Sequence, residues 1–490
     1  MTTLPEAKLF IDGKICGASN GATYDVISPW TGEVVGQAAD CTADDVNAAV
    51  AAARRAFDTT DWGAPENRQK RFELVKKYRE LFEQNRARMG ELAVHEAGAA
   101  LGAVNRAHVD MALDGWDDYL RVFDQVCWEK DYGTRETWGM NHKRIAVHEP
   151  VGVAALITPW NVPFYVGIGK IVAALLAGCT VVLKPAPDTP GSGGALFGEL
   201  AKEAGFPDGV VNVVFGKDPA MAGEMLVHDP RVDLVSFTGS TGVGKRIMQE
   251  GAATLKRVFL ELGGESAKIV LDDAPNFTMD VAMTMLVFHA GQGCAVQSRL
   301  LVPKSRYEEA KAILKGAYSN FDDNWGDINN PQHIMGPVVS KRQMERVLSY
   351  IELGQKEGAT LLHGGKARPD KGGGYFIEPT VFVDVRNDMR IAQEEIFGPV
   401  LVVIPYEDDA DAIRIANESD YGLGGGVSGS HDRAMKIARA VRTGTMSVNN
   451  GMSIAGDIPF GGYKASGIGR EWGVEGIEEF LETKLIAWTV

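Results

Sequence analysis

Cysteine is scarce in this chain: five residues in 490, namely Cys16, Cys41, Cys127, Cys179 and Cys294. They are odd in number, far apart and in no CxxC pair. This argues against a disulfide framework or a zinc site, so we expect no metal and a reducing, cytoplasmic compartment. Positive charge is also short, with 50 Lys and Arg against 65 Asp and Glu, a net charge of −15 and a pI near 5.2. Neither nucleic acid nor an anionic membrane is an expected partner. The first residues contain no apolar run of the kind a signal peptide needs. The most apolar stretch, Phe164 to Leu183, is interrupted by Lys170, Gly167, Gly169 and Gly178. It reads as a helix followed by a buried strand, not a membrane span. No repeat or low-complexity tract is present.

Glycine, by contrast, is plentiful at 57 residues, and 45% of the chain is apolar. The length exceeds the roughly 250–300 residues that one core organises, which predicts at least two domains. Ile11-Asp12-Gly13-Lys14 reads as a hairpin turn. Thr42 reads as the N-cap of a helix running through Phe57, and Leu74, Val75, Tyr78, Leu81 and Phe82 mark a second helix. From residue 151 short apolar runs (Val151–Ile157, Thr180–Leu183, Val210–Phe215, Leu234–Phe237, Val258–Leu260) alternate with helical stretches. That alternation predicts a doubly wound parallel sheet. A second alternation begins near Ser266, with Lys268–Leu271, Leu300–Val302 and Val400–Ile404. Arg144–His148 and Thr483–Val490 are strand-like segments outside both patterns, suited to a subunit interface.

Several runs carry chemistry. Cys294 in Ala290-Gly291-Gln292-Gly293-Cys294 has small neighbours that let a substrate carbon reach its sulfur. Glu261, in Leu260-Glu261-Leu262-Gly263-Gly264, is placed to serve as a general base. Both fall near the presumed domain junction. Phe237-Thr-Gly239-Ser240-Thr-Gly-Val243-Gly244 joins a strand to a helix and offers backbone N–H groups to a phosphate. Lys184 ends a strand within reach of a ribose or phosphate. Asn161 offers an amide to an oxyanion. Glu394-Glu395-Ile396-Phe397-Gly398-Pro399 offers a carboxylate to ribose hydroxyls. Taken singly, each has a bland alternative: an inert buried cysteine, a structural turn, a solvated lysine or glutamate.

Together, in order and spacing, these runs resemble the aldehyde dehydrogenase superfamily across nearly the whole chain. Thr158-Pro-Trp160-Asn161, Lys184-Pro185 and Pro459-Phe-Gly-Gly-Tyr-Lys464 with Ser466-Gly467 complete the set. The resemblance implies two Rossmann-like doubly wound α/β domains plus a small β oligomerisation arm. The cofactor-binding domain would span 1–131 and 151–262, the catalytic domain 263–465, and the arm 132–150 and 466–490. It implies Cys294 as nucleophile, Glu261 as base for water, and Asn161 with the Cys294 N–H as oxyanion hole. It places Thr158, Trp160, Lys184, Pro187, Gly239, Ser240, Val243, Leu262, Gly263, Glu395 and Phe397 around a nicotinamide cofactor. The implied reaction oxidises an aldehyde to the acid through a thioester on Cys294, in a homodimer or homotetramer.

Two departures matter. Many NAD-using members carry a glutamate where this chain has Pro187, followed by Asp188, and no arginine lies nearby in sequence. NAD is the expected cofactor, with NADP the alternative. Val162 and Gly169 are small, which predicts a roomy channel for a bulky apolar or aromatic aldehyde. The rival readings are a coenzyme-A-acylating or semialdehyde-specific member, a thiol hydrolase, and a non-catalytic binding or structural homologue.

Overall fold

The computed structural model describes residues 3–284, 287–322 and 324–490. Its first sheet runs in the order Gly467–Ile468, Arg257–Glu261, Leu234–Thr238, Val153–Ile157, Thr180–Lys184, Val211–Val213, Leu9–Ile11, Lys14–Cys16. The five strands from Arg257–Glu261 to Val211–Val213 are parallel. Val153–Ile157, Thr180–Lys184 and Leu234–Thr238 are buried at every residue, as apolar runs covered on both faces must be. The chain begins at Val153–Ile157, steps outward through two strands, then returns to the other side with Leu234–Thr238. The order reverses there, and the diverging ends at Ile157 and Thr238 open a crevice.

The wholly buried helix Pro163–Ala177 covers this sheet. Proline starts it without losing a needed N–H, and Gly178 ends it at φ +100°. Thr42 caps the helix Ala43–Thr59 reciprocally with Asp45, two residues beyond the expected end at Phe57. The expected hairpin forms at Asp12-Gly13, both with positive φ, the backbone that a two-residue turn between twisted strands requires.

The second sheet is ordered Thr360–His363, Thr380–Val383, Val400–Tyr406, Arg299–Pro303, Ala267–Val270, Gly425–Ser428, Ser447–Val448. All its neighbours are parallel except the first pair. Ala267–Val270, Arg299–Pro303 and Val400–Tyr406 lie side by side, so the loops that enter them converge at one edge. Those loops carry Gly264, Cys294 and Glu395.

A third, antiparallel sheet joins Glu129–Thr137, Met140–Pro150 and Leu481–Thr489. The tail reaches it after returning to the first sheet with Gly467–Ile468 and packing the helix Gly473–Glu478 on Pro163–Ala177. No helix among the described residues is long and apolar enough to cross a membrane.

Candidate active site

The carboxyl ends of the first sheet face the amino ends of the second. From the first sheet come Thr158 to Asn161, Lys184, Thr238 to Ser240, and Glu261. Glu261 lies beside Thr238 on one side and Gly467 on the other. The run Leu260-Glu261-Leu262-Gly263-Gly264 then crosses between the sheets and brings the parts together. A Cβ on Gly263 would lie 2.4 Å from Glu395 Oε2, and one on Gly264 would lie 2.4 Å from the Cys294 carbonyl oxygen. The Gly264 N–H donates to Glu395 Oε1 at 2.9 Å. Two glycines in succession thus permit the close approach of both loops.

The backbone leading to Cys294 is left-handed over three residues, with φ of +46° at His289, +50° at Ala290 and +70° at Gly291. Gly291 is required, because a Cβ there would sit 2.1 Å from the Gly398 carbonyl oxygen. Asn161 is buried, and its amide nitrogen donates to the Gln292 carbonyl at 3.2 Å. Its Oδ1 has no partner among the described residues. Gln292 is itself pinned, its Nε2 donating to the His289 carbonyl and its Oε1 accepting from the Val339 N–H.

Burial, with Glu261, Glu395 and Glu471 nearby, pushes the Cys294 thiol up to about 12. Both Glu261 carboxylate oxygens are buried without a hydrogen-bond partner among the described residues. Oε1 would lie 2.7 Å from a Cβ on Gly461. Burial, reinforced by Glu471, holds this carboxyl well above the usual carboxylate range, while Lys170 and Arg470 oppose the rise. Lys170 Nζ bonds Glu471 at 2.6 Å and Ser236 Oγ at 2.8 Å, all three buried. Motif reading passed over Lys170, Ser236 and Glu471. The available signal was a lone lysine in an otherwise apolar helix, a charge that needs a buried partner.

A cleft of about 400 Å³ lies at the switch point, lined by Thr158, Trp160, Lys184, Pro187, Gly239, Ser240 and Val243, among others. A second cavity of about 540 Å³ holds Asn161, Leu262, Gly263, Cys294, Glu395 and Phe397. Trp160, Thr238, Gly239, Ser240 and Arg342 line both, so the two are continuous. Every candidate residue from the sequence borders this cleft except Glu261, which sits behind it against Gly461. Ser240 caps the helix Thr241–Gly251 by accepting from the Val243 N–H. Lys184 is buried with one long contact, to the Pro185 carbonyl at 3.5 Å, and burial lowers it to about 8. Burial raises Glu395 to about 7. The Thr158 and Thr238 hydroxyls are buried and unpartnered among the described residues. Trp160 and Phe397 meet edge to face at 5.4 Å.

At the far end, Pro187 spends its carbonyl on the Tyr24 hydroxyl at 3.1 Å. Asp188, Arg246 and Arg342 line the same cleft; Arg342 also borders the Cys294 cavity, and Arg246 is paired with Glu224 at 2.7 Å. Sequence proximity showed no arginine; folding supplies two.

The room expected at Gly169 is absent. A Cβ there would meet Trp472 Cζ2 at 3.0 Å, and the Trp472 indole is fully buried. The small residue accommodates a large neighbour and not a substrate.

The Aldehyde dehydrogenase family model matches residues 17–486. A putative aldehyde dehydrogenase of Bacillus subtilis is 40% identical over 489 residues, covering 98% of this chain and 95% of that protein. The crystal structure of a Mycobacterium tuberculosis aldehyde dehydrogenase complexed with NAD+ has a TM-score of 0.92 and 39% identity, covering 99% of this chain and 98% of that one. An indole-3-acetaldehyde dehydrogenase of P. syringae, in complex with NAD+ and IAA, has a TM-score of 0.93 and 35% identity, covering 99% and 97%. The chain belongs to the aldehyde dehydrogenase family.

Proposed function

We propose that the protein oxidises an apolar or aromatic aldehyde to its carboxylic acid, using NAD, with Cys294, Glu261 and Asn161 as the catalytic residues. The observation that carries this reading is the convergence of Cys294 and the Asn161 amide on one loop, with Glu261 buried behind it.

The cleft fits a dinucleotide. Lys184 is buried and Glu395 half-buried, each with spare hydrogen-bonding capacity for a ribose, two threonine hydroxyls lack partners among the described residues, and a capped helix N-terminus is available to the phosphates. When bound, oxidised NAD would supply a positive charge that favours the Cys294 thiolate and would accept the two electrons and hydrogen that the substrate carbon gives up.

Cys294 passes its proton to solvent water, and its sulfur bonds the aldehyde carbon as the carbonyl π pair moves to oxygen. The Asn161 amide and the Cys294 N–H stabilise that oxyanion. Loss of the carbon's hydrogen with its electron pair restores the C=O bond and leaves a thioester on Cys294. Glu261 takes a proton from water, the hydroxide oxygen bonds the thioester carbon, and the C–S bond breaks to free the Cys294 thiolate and the acid, whose hydroxyl proton passes to solvent to leave the carboxylate. Glu471 and Lys170 act on Glu261 through charge, the first raising its carboxyl and the second lowering it.

The substrate class rests on the wall beside Cys294, where Val166 and Leu262 border the cavity. The P. syringae relative acts on an aromatic aldehyde. Asp188 favours NAD, since a carboxylate at that end repels a 2′-phosphate. The third sheet, with Trp138 at 92% exposure and Leu485 and Trp488 also exposed, is the proposed surface for a homodimer or homotetramer.

Absorbance at 340 nm across acetaldehyde, hexanal, benzaldehyde and phenylacetaldehyde, with NAD and with NADP, tests the reading. Reduction of NAD without coenzyme A is expected, with higher kcat/KM for the larger aldehydes. A strong preference for acetaldehyde would contradict the substrate class. Ester hydrolysis without any reduction would contradict the reaction.

A further inference from the structure

We propose that Trp472 is a positioning residue whose indole, keyed into the space left by Gly115 and Gly169, holds Glu471 against Lys170 and so governs the release of the thioester through Glu261. The inference rests on Glu261 being the base for water.

The backbone is the first observation. Trp472 has φ +63° and ψ 171°, a region that glycine alone adopts readily. In an extended chain successive side chains point to opposite faces. Here Glu471 and Trp472 both point inward, at 5% and 0% exposure. The left-handed φ is what turns two consecutive side chains to the same interior. Such a conformation persists where its surroundings over-determine it. Glu471 is locked on both sides, its N–H donating to the Phe460 carbonyl and its carbonyl accepting from the Phe460 N–H, each at 2.7 Å. The Trp472 N–H donates to the Tyr119 hydroxyl at 2.9 Å, which donates in turn to the Gly169 carbonyl at 3.0 Å.

The second observation is the fit of the indole. Tyr119 stacks on it at 4.9 Å and Tyr165 packs against it at 4.6 Å. A Cβ on Gly115 would come within 2.8 Å of its ring, and one on Gly169 within 3.0 Å. Gly169 and Lys170 are neighbours in the chain, as are Glu471 and Trp472. The steric lock and the buried ion pair therefore join the same two segments, one residue apart. A ring that slackened against Gly169 would move Glu471 relative to Lys170. The charged groups acting on Glu261 are Glu471, Lys170, Arg470 and Glu479, with the Cys294 thiol also coupled to it. Of the charges, Glu471 acts most strongly, and it raises the Glu261 carboxyl.

The test uses the full-length enzyme with its best aldehyde and NAD, comparing the pre-steady-state burst with steady-state turnover. Trp472→Phe should keep the burst within about twofold, lower turnover at least about tenfold, and displace the acid limb of turnover from its wild-type position. Gly169→Ala, which drives a methyl into the indole, should behave likewise. The double variant should be no slower than the slower single, because Phe vacates the contested space. If Trp472→Phe fails to fold, Gly169→Ala decides by the same readouts. Folded variants with wild-type turnover and pH profile would overturn the proposal, as would burst and turnover falling together. Absence of NAD reduction by the wild-type protein would instead refute the proposed reaction.

Discussion

The Asn161 amide nitrogen donates to the Gln292 carbonyl, two residues before Cys294, at 3.2 Å. One hydrogen of the amide is thus committed to the nucleophile's own loop. The other is available to the oxyanion that the proposed reaction forms at Cys294, with the proposed donor held in advance against the nucleophile's loop.

Asn161→Ala removes that donor. The burst rate of NADH formation should fall by about 10²–10³, the usual loss for one oxyanion donor. Stopped-flow absorbance at 340 nm measures it. A burst rate within threefold of wild type would remove Asn161 from the oxyanion role.

Asp188 lines the cleft next to Pro187, at the end proposed to hold the adenosine. Asp188→Asn removes its negative charge and leaves Arg246 and Arg342 in the same cleft. The ratio of kcat/KM for NADP over NAD should rise by about tenfold or more, given that one charge contact is worth a kcal/mol or two. An unchanged ratio would show that neither Asp188 nor the arginines reach the 2′ position.

Glu261 must be ionised to take a proton from water, and its carboxyl is held well above the ordinary value of 4.5. Turnover should therefore be lost as pH falls through a value above 4.5, while the burst persists to lower pH. Glu471→Gln removes the charge that raises Glu261 and leaves Lys170, which lowers it. Both changes act in one direction, so the acid limb should move to lower pH. A limb that moved upward, measured by kcat against pH, would contradict this electrostatic account.

Much of the site was legible because its parts are local. Asn161, Lys184, Ser240 and Glu261 each end a strand, and the parallel order of those strands, itself visible in the alternation of apolar runs, brings their ends together. Cys294 and Glu395 lie on the loops that enter neighbouring parallel strands of the second sheet, Arg299–Pro303 and Val400–Tyr406. Long-range pairing was not legible. Glu471 meets Lys170 across most of the chain, and nothing near either residue names the other. Trp472 and Gly169 show the same limit in space: a small residue in sequence implied room, and the fold had filled it. Arg342 reaches the cleft from the start of the helix Lys341–Lys356, more than 150 residues from Pro187 in the chain.

The central claim is that Glu261 activates water to release a thioester held on Cys294. Rapid mixing of Glu261→Gln with aldehyde and NAD, followed at 340 nm, tests it most directly. The account predicts a burst approaching one NADH per active site and then a stall, with the acyl group recoverable on Cys294 by mass spectrometry. Steady turnover at the wild-type rate, or no burst from a folded variant, would contradict it.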